Sequence, residues 1–220
     1  MTKQELIDLI TEKEWTMFHN VNGDTRTDCQ EDRRTFEIMR RGQYEAWDEA
    51  TLNCYYGDVC AAEAEGRNLA REKYIRMMKS TDPAGYEAFK GELPELSPKK
   101  AALVAELWEK YLAQTLAMRK LYPFLCAGGR PTTTEEEEDW ASVETYQTSE
   151  SMTYSEATLE ALLAHCKAME AKGESLVMAI QLNSVKGLGF ETLQEAEDAM
   201  TRQMIRVAER SCCACQKNIG

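Results

Sequence analysis

This chain lacks a basic surplus, a membrane-length apolar run, paired cysteine knuckles and any familiar catalytic motif. Its 26 lysines and arginines face 38 aspartates and glutamates, a net charge of −12. Nucleic acid and anionic membrane surfaces both require a basic face, so neither is expected as a partner. No apolar stretch approaches the roughly 20 residues that span a bilayer. The first residues, MTKQELIDLITEKEW, are interrupted by charge throughout. They read as an amphipathic helix rather than a signal peptide, which places the protein in the cytoplasm. Eight cysteines in that compartment are expected as thiols. Cys54, Cys60 and Cys166 fall at helical core positions. Cys212, Cys213 and Cys215 cluster in the tail without a second CxxC pair, and no metal is expected there. Walker, GxGxxG, HExxH, GxSxG and EF-hand patterns are all absent. No segment alternates with period two long enough to be a strand, so the chain is expected to be all-α.

What the chain does contain is a repeat. Residues 47–79 return without a gap at 154–186. At this offset of 107, Glu49, Ala50, Thr51, Leu52, Ala61, Glu63, Ala64, Gly66, Leu69 and Lys79 meet identical residues. Chance supplies about two such identities over the window. The expected architecture is a helical bundle of two halves, 1–107 and 108–214, with 215–220 as tail. Duplicated helical units tend to pair about a pseudo-two-fold axis, and the groove between them is a natural pocket.

Helix boundaries are marked by their caps. The first helix, 4–20, carries Leu6, Leu9, Ile10, Met17 and Phe18 on one stripe and runs into the turn formers Asn20 to Asp24. Asp48 and its repeat mate Ser155 read as N-caps, and Gly66 and Gly173 as the glycines past the helix end. Asp82-Pro83 and Ser97-Pro98 each pair a cap with a proline at the first helical position. Tyr122-Pro123 ends the long helix of the middle. In the second half, helices are expected near 140–148, 155–173, 174–187 and 190–212.

The loop Asn20 to Arg34 is the richest polar cluster. Glu31 and Asp32 recur as Glu138 and Asp139, which suits a helix start, where carboxylates meet the positive end of the dipole. Cys29, Gln30, Arg33 and Arg34 do not recur, so the repeat does not account for them. Mixed charge beside an amide and a thiol offers donors and acceptors together. The expected site therefore lies in the first half: Asp28, Cys29, Gln30, Asp32, Arg33 and Arg41 as contacts, Trp47 and Tyr74 as walls. Glu37, Arg40, Arg41 and Tyr44 share adjacent turns and read as a surface ion-pair lattice or an anion-receiving wall. Cys29 would need a base to act as a nucleophile. Only His19 and His165 are available, and a pair this loose is weak.

Glu14-Trp15, Met17-Phe18, Val21, Cys29-Gln30, Asp32, Phe36, Met39-Arg40, Gln43 and Trp47 form one run of motifs. Gly66 to Leu69, Glu72 to Pro83, Gly129 to Pro131, Glu144 to Tyr146 and Thr153 to Glu160 continue it. Together they resemble a bacterial family known as domain of unknown function 4125, over nearly the whole chain. The resemblance implies no established reaction and leaves any cofactor unknown. After Glu144-Thr145-Tyr146 the similar sequences carry arginine, glycine and glutamate, where this chain has Gln147, Thr148 and Ser149.

Three functions compete. A binding or sensory domain for a small polar molecule would enclose its ligand between the halves. An enzyme would use Cys29 or carboxylates of the same loop, with a shifted pKa in the pocket. A scaffold for a protein partner would show an exposed apolar patch and no enclosed pocket. The missing catalytic constellation favours binding or scaffolding over catalysis.

Overall fold

The computed structural model describes the backbone of residues 1–21, 31–135 and 141–217, and side chains as far as Val207. Its described residues form eleven α-helices, one short 3-10 turn at Lys90–Glu92 and no strand. The helices are α1 Lys3–His19, α2 Arg33–Ala46, α3 Glu49–Ala64, α4 Leu69–Thr81, α5 Pro83–Phe89 and α6 Pro98–Leu121. They continue as α7 Pro123–Ala127, α8 Val143–Ser151, α9 Glu156–Glu170, α10 Leu176–Gly187 and α11 Leu193–Lys217. The fold is all-α.

The caps explain the boundaries. Asp48 and Ser155 accept from the backbone of Thr51 and Thr158, which opens α3 and α9 in the same way. Asp82 and Ser97 cap α5 and α6, each followed by a proline that has no amide hydrogen to leave unpaired. Gly66 and Gly173 follow α3 and α9 with φ of 70° and 75°, a conformation that costs glycine nothing. In the second half the expected helices near 140–148, 155–173 and 190–212 appear at 143–151, 156–170 and 193–217. End shifts of this size come from capping and fraying at the last turn.

A smaller cluster gathers Val185, Leu193 and Ala196, and a large core joins α1, α3, α6 and α9. Leu6, Ile7 and Ile10 of α1 pack with Leu52, Tyr55 and Val59 of α3, Leu107 and Tyr111 of α6, and Leu159, Leu162 and Leu163 of α9. At its centre Trp47, Tyr55 and Tyr154 meet edge to face, with ring centroids 4.9–5.9 Å apart. Such pairs contribute about 0.5–1.5 kcal/mol beyond their buried area.

Helix contacts recur in pairs: α2, α3 and α4 match α8, α9 and α10 at the 107-residue offset, while α6 stands to α9 as α1 stands to α3 in a different register, the Lys13–Glu63 bridge answering Lys110–Glu170. α1 packs on α3 as α6 packs on α9; α1 meets α4 as α6 meets α10; α2 lies on α10 as α8 lies on α4. Side chains follow suit. His165 Nδ1 lies 3.5 Å from Asp48 Oδ2, and at the exchanged positions the Ser155 amide donates to Asp58 Oδ2 at 2.8 Å. Gln43 and Glu150, which are offset mates, meet each other at 3.3 Å, as do the rings of Trp47 and Tyr154 at 5.9 Å.

The two outer contacts differ in closeness. On the α2–α10 side, a Cβ at Gly42 would stand 3.1 Å from the Ser184 amide nitrogen, and one at Gly187 would stand 2.8 Å from Ile38. These glycines let α2 lie directly on α10. On the α4–α8 side the exchanged positions are filled by Ser149 and Ser80. There the Ser80 and Thr145 hydroxyls meet at 3.3 Å, and an open cavity lies beside them.

Candidate functional site

The cavity measures about 390 Å³ and lies between α1, α2, α4 and α8, with Arg130 added from the segment before α8. Most of its wall is apolar. Phe18 and Phe36 stack at 5.2 Å, Tyr74 stands 6.4 Å from Phe18, and Met17, Met39 and Leu69 complete the greasy side.

Its floor is charged, and each charge arrives on an otherwise apolar helix face. Glu14 sits one turn from Ile10 on α1. Arg40 lies between Phe36 and Tyr44 on α2. Lys73 lies between Leu69 and Met77 on α4. Glu150 lies between Tyr146 and Tyr154 at the end of α8. Positions three or four apart share a helix face, so the core-facing stripe carries these groups inward.

There they form one connected network. Arg40 grips Glu14 through two nitrogens, Nε at 2.8 Å and Nη2 at 2.5 Å. Its Nη1 donates to Glu150 Oε1 at 2.7 Å. Lys73 Nζ donates to the other Glu150 oxygen at 2.7 Å. The Tyr44 and Tyr55 hydroxyls donate to Glu14, the second at 2.5 Å. The Tyr154 hydroxyl and the Gln43 amide donate to Glu150 at 2.8 and 3.3 Å. Lys73 also lies 3.4 Å from the centre of the Tyr146 ring, and the Arg130 guanidinium 5.2 Å from the same centre. Both are within cation–π range.

Glu150, Lys73, Arg40 and the three phenols are each held in their ordinary charge state. Burial pushes the Glu150 carboxyl up, but Arg40 and Lys73 outweigh it and leave it well below the usual carboxylate range. Burial pulls Lys73 down, and Glu150 more than restores it. Arg40 is likewise raised against burial by Glu14 and Glu150. The phenols of Tyr44, Tyr55 and Tyr154 are pushed well above the usual range, chiefly by burial.

A lowered carboxyl adds stability at pH above its unfolded value, and the contribution is lost as pH falls below it. A raised lysine contributes below its unfolded value and loses that contribution only in strong base. The stability difference between wild type and Glu150→Gln is therefore expected to be flat from about pH 5 to about pH 9 and to shrink below about pH 4. Urea midpoints across that range measure it, and a difference that persists undiminished at about pH 3 would contradict the arrangement.

The residues expected from the sequence fall on several surfaces. Asp32 and Tyr74 line the cavity. Asp32 also caps α2 by accepting from the Thr35 amide at 3.0 Å. Arg33 instead turns outward to Glu12 and Glu37. Arg41 pairs with Asp8 at 2.7 Å and borders a separate shallow groove with Asn183 and Lys186. Trp47 is no cavity wall: it is wholly buried at the core's centre, because an indole can bury more apolar area there than at a rim. Asp28, Cys29 and Gln30 lie outside the described residues, as do the side chains of Cys212, Cys213 and Cys215. Arg40 and Tyr44 are buried rather than part of a surface lattice, while Glu37 and Arg41 do make surface pairs. His165 donates from Nε2 to the Ala46 carbonyl at 2.8 Å, which ties α9 to the end of α2. The site thus draws on both halves, with Arg130, Tyr146 and Glu150 coming from the second. Among the described residues no group of three or more histidine, cysteine or carboxylate side chains is gathered as metal ligands. No described helix is long and apolar enough to cross a membrane.

No curated protein and no solved structure matches the chain. A family model does, over residues 4–198, a span that takes in the whole cavity. The chain belongs to the family described as protein of unknown function DUF4125.

Proposed function

We propose that this protein is a small-molecule receptor whose ligand occupies the cavity between α1, α2, α4 and α8. The observation that carries the reading is the buried network of Glu14, Arg40, Lys73 and Glu150 beneath an apolar, half-open cavity. Removing a charge from water costs several kcal/mol per ion even after relaxation. Packing alone does not call for that cost here. We take the halves as copies of one ancestral unit, supported by the repeat and by helix contacts that recur in pairs. At the 107-residue offset Lys73 corresponds to Ile180, Arg40 to Gln147 and Glu150 to Gln43. The matching positions Ile180, Gln147 and Gln43 are uncharged, so the corresponding helix contacts form without these charges. Pockets of about 300–1,000 Å³ with apolar walls and a few placed polar groups suit small ligands.

Binding is favoured over catalysis because general acid–base chemistry needs a group that titrates near the working pH. Here Lys73 is raised and Glu150 lowered, both away from neutrality. The cytoplasmic placement belongs to the same proposal. It is supported by the acid surplus and by the free thiols of Cys54, Cys60, Cys126 and Cys166.

A thermal-shift screen against a metabolite library tests the reading. Met39 lines the cavity and is 51% exposed, so Met39→Trp fills space with little cost to the fold. Stabilising hits with wild type that vanish in Met39→Trp are expected. Hits that survive the substitution, or a screen without hits, would refute the proposal.

A further inference from the structure

We infer that the ligand is an organic anion with an apolar body, its acid group held by Lys73 and Arg130 beside Tyr146. The inference rests on the receptor reading and deepens it. It follows from which polar groups of the cavity already have partners and which do not.

The buried carboxylates are filled. Glu14 takes two bonds from Arg40 and one each from Tyr44 and Tyr55. Glu150 takes bonds from Arg40, Gln43, Tyr154 and Lys73. Four bonds match the roughly four lone-pair sites of a carboxylate. Arg40 is also filled: its five N–H groups serve Glu14 twice and Tyr44, Gln43 and Glu150 once each. A cationic ligand would find no open buried acceptor. The lining carboxylate with an uncommitted oxygen is Asp32, which is exposed at the cap of α2.

The cations are not filled. Lys73 has three N–H donors. Glu150 takes one and the Tyr146 ring face another, which leaves one for the cavity, where the Tyr74 ring stands 5.9 Å from the ammonium. Arg130 spends one Nη1 donor on the Ala141 carbonyl, and no described carboxylate pairs with it. Two cations against one ring therefore present open donors at one end of an apolar chamber. An anionic oxygen would complete them with charge-assisted bonds, which are about twice as strong as neutral ones. The stack of Phe18 and Phe36 would receive a flat or aliphatic body.

The test uses ligands that share one naphthalene body: naphthalene-1-acetate, 1-naphthyl phosphate, 1-naphthaleneethanol and 1-naphthylethylamine. Titration calorimetry of the full chain reads each affinity. One of the two acids is expected to bind about tenfold or more tighter than the alcohol, with the amine weakest. Which acid leads tells carboxylate from phosphate. Arg130 is exposed, so Arg130→Glu keeps the fold and is expected to erase the preference for acid while leaving the alcohol unchanged. The inference fails if the alcohol or amine binds as tightly as both acids. It fails too if the preference survives Arg130→Glu, or if no probe binds up to about 1 mM. The metabolite screen assumes no ligand charge, so its hits would keep the receptor reading standing even if the anion preference fell.

Discussion

Glu150→Ala is expected to lower the thermal midpoint by about 6–20 °C. The carboxylate is the shared partner of Arg40 and Lys73, at 2.7 Å from each. Removing it leaves Arg40 paired with Glu14 but Lys73 buried without a carboxylate, so one positive charge is uncompensated apart from the Tyr146 ring. Breaking a buried pair in this way costs about 3–5 kcal/mol. For a chain of this size each kcal/mol moves the midpoint by about 2–4 °C. Truncation also opens a small void and strands the Tyr154 hydroxyl, which adds to the loss. Differential scanning calorimetry reads the outcome. A control such as Arg33→Ala breaks only surface pairs and is expected to move the midpoint little. If Glu150→Ala and Arg33→Ala shift it equally, the network is not the coupled unit described above.

Much of the fold was legible in residues whose physics is local. Asp48, Ser155, Asp82 and Ser97 act as caps because a short side-chain acceptor reaches an amide three residues on, whatever surrounds it. Gly66 and Gly173 mark helix ends because positive φ excludes side chains. The site was legible only in part, and the reason is tertiary. Polar density drew attention to the segment leading into α2, yet Arg33 and Arg41 of that helix found acidic neighbours on α1 and turned to the surface.

The better signal was a charge out of place. Glu14, Arg40, Lys73 and Glu150 each interrupt an apolar helical stripe, the pattern of a side chain carried into the interior. That pattern does not say which carboxylate meets which cation. Glu150 lies 110 residues from Arg40, and only the packing of α8 on α4 and of α1 on α2 brings them together. Nor does the offset alone show which helix pair borders the cavity: Gly42 and Gly187 let α2 lie directly on α10 beside a shallow groove, while the α4–α8 side has serines at the matching positions and the apolar cavity alongside.

Removing the whole network is expected to give the opposite stability result from removing one member. The variant Glu14→Gln, Arg40→Met, Lys73→Met, Glu150→Gln takes out all four buried charges together. Gln side chains at 14 and 150 can still accept from the Tyr44, Tyr55 and Tyr154 hydroxyls, which now meet the carboxylates there. Methionine fills the volume of the arginine and lysine stems and adapts to irregular gaps. No ion is left unpaired, so the desolvation cost of four charges vanishes along with their mutual attraction. Such replacements are often neutral or stabilising by about 1–4 kcal/mol. The midpoint is therefore expected to equal or exceed that of wild type, while every stabilising hit of the metabolite screen is lost. If the fourfold variant unfolds as readily as Glu150→Ala, the network belongs to the architecture. If it is stable and still binds the same molecules, the charges are not the receptor's recognition groups.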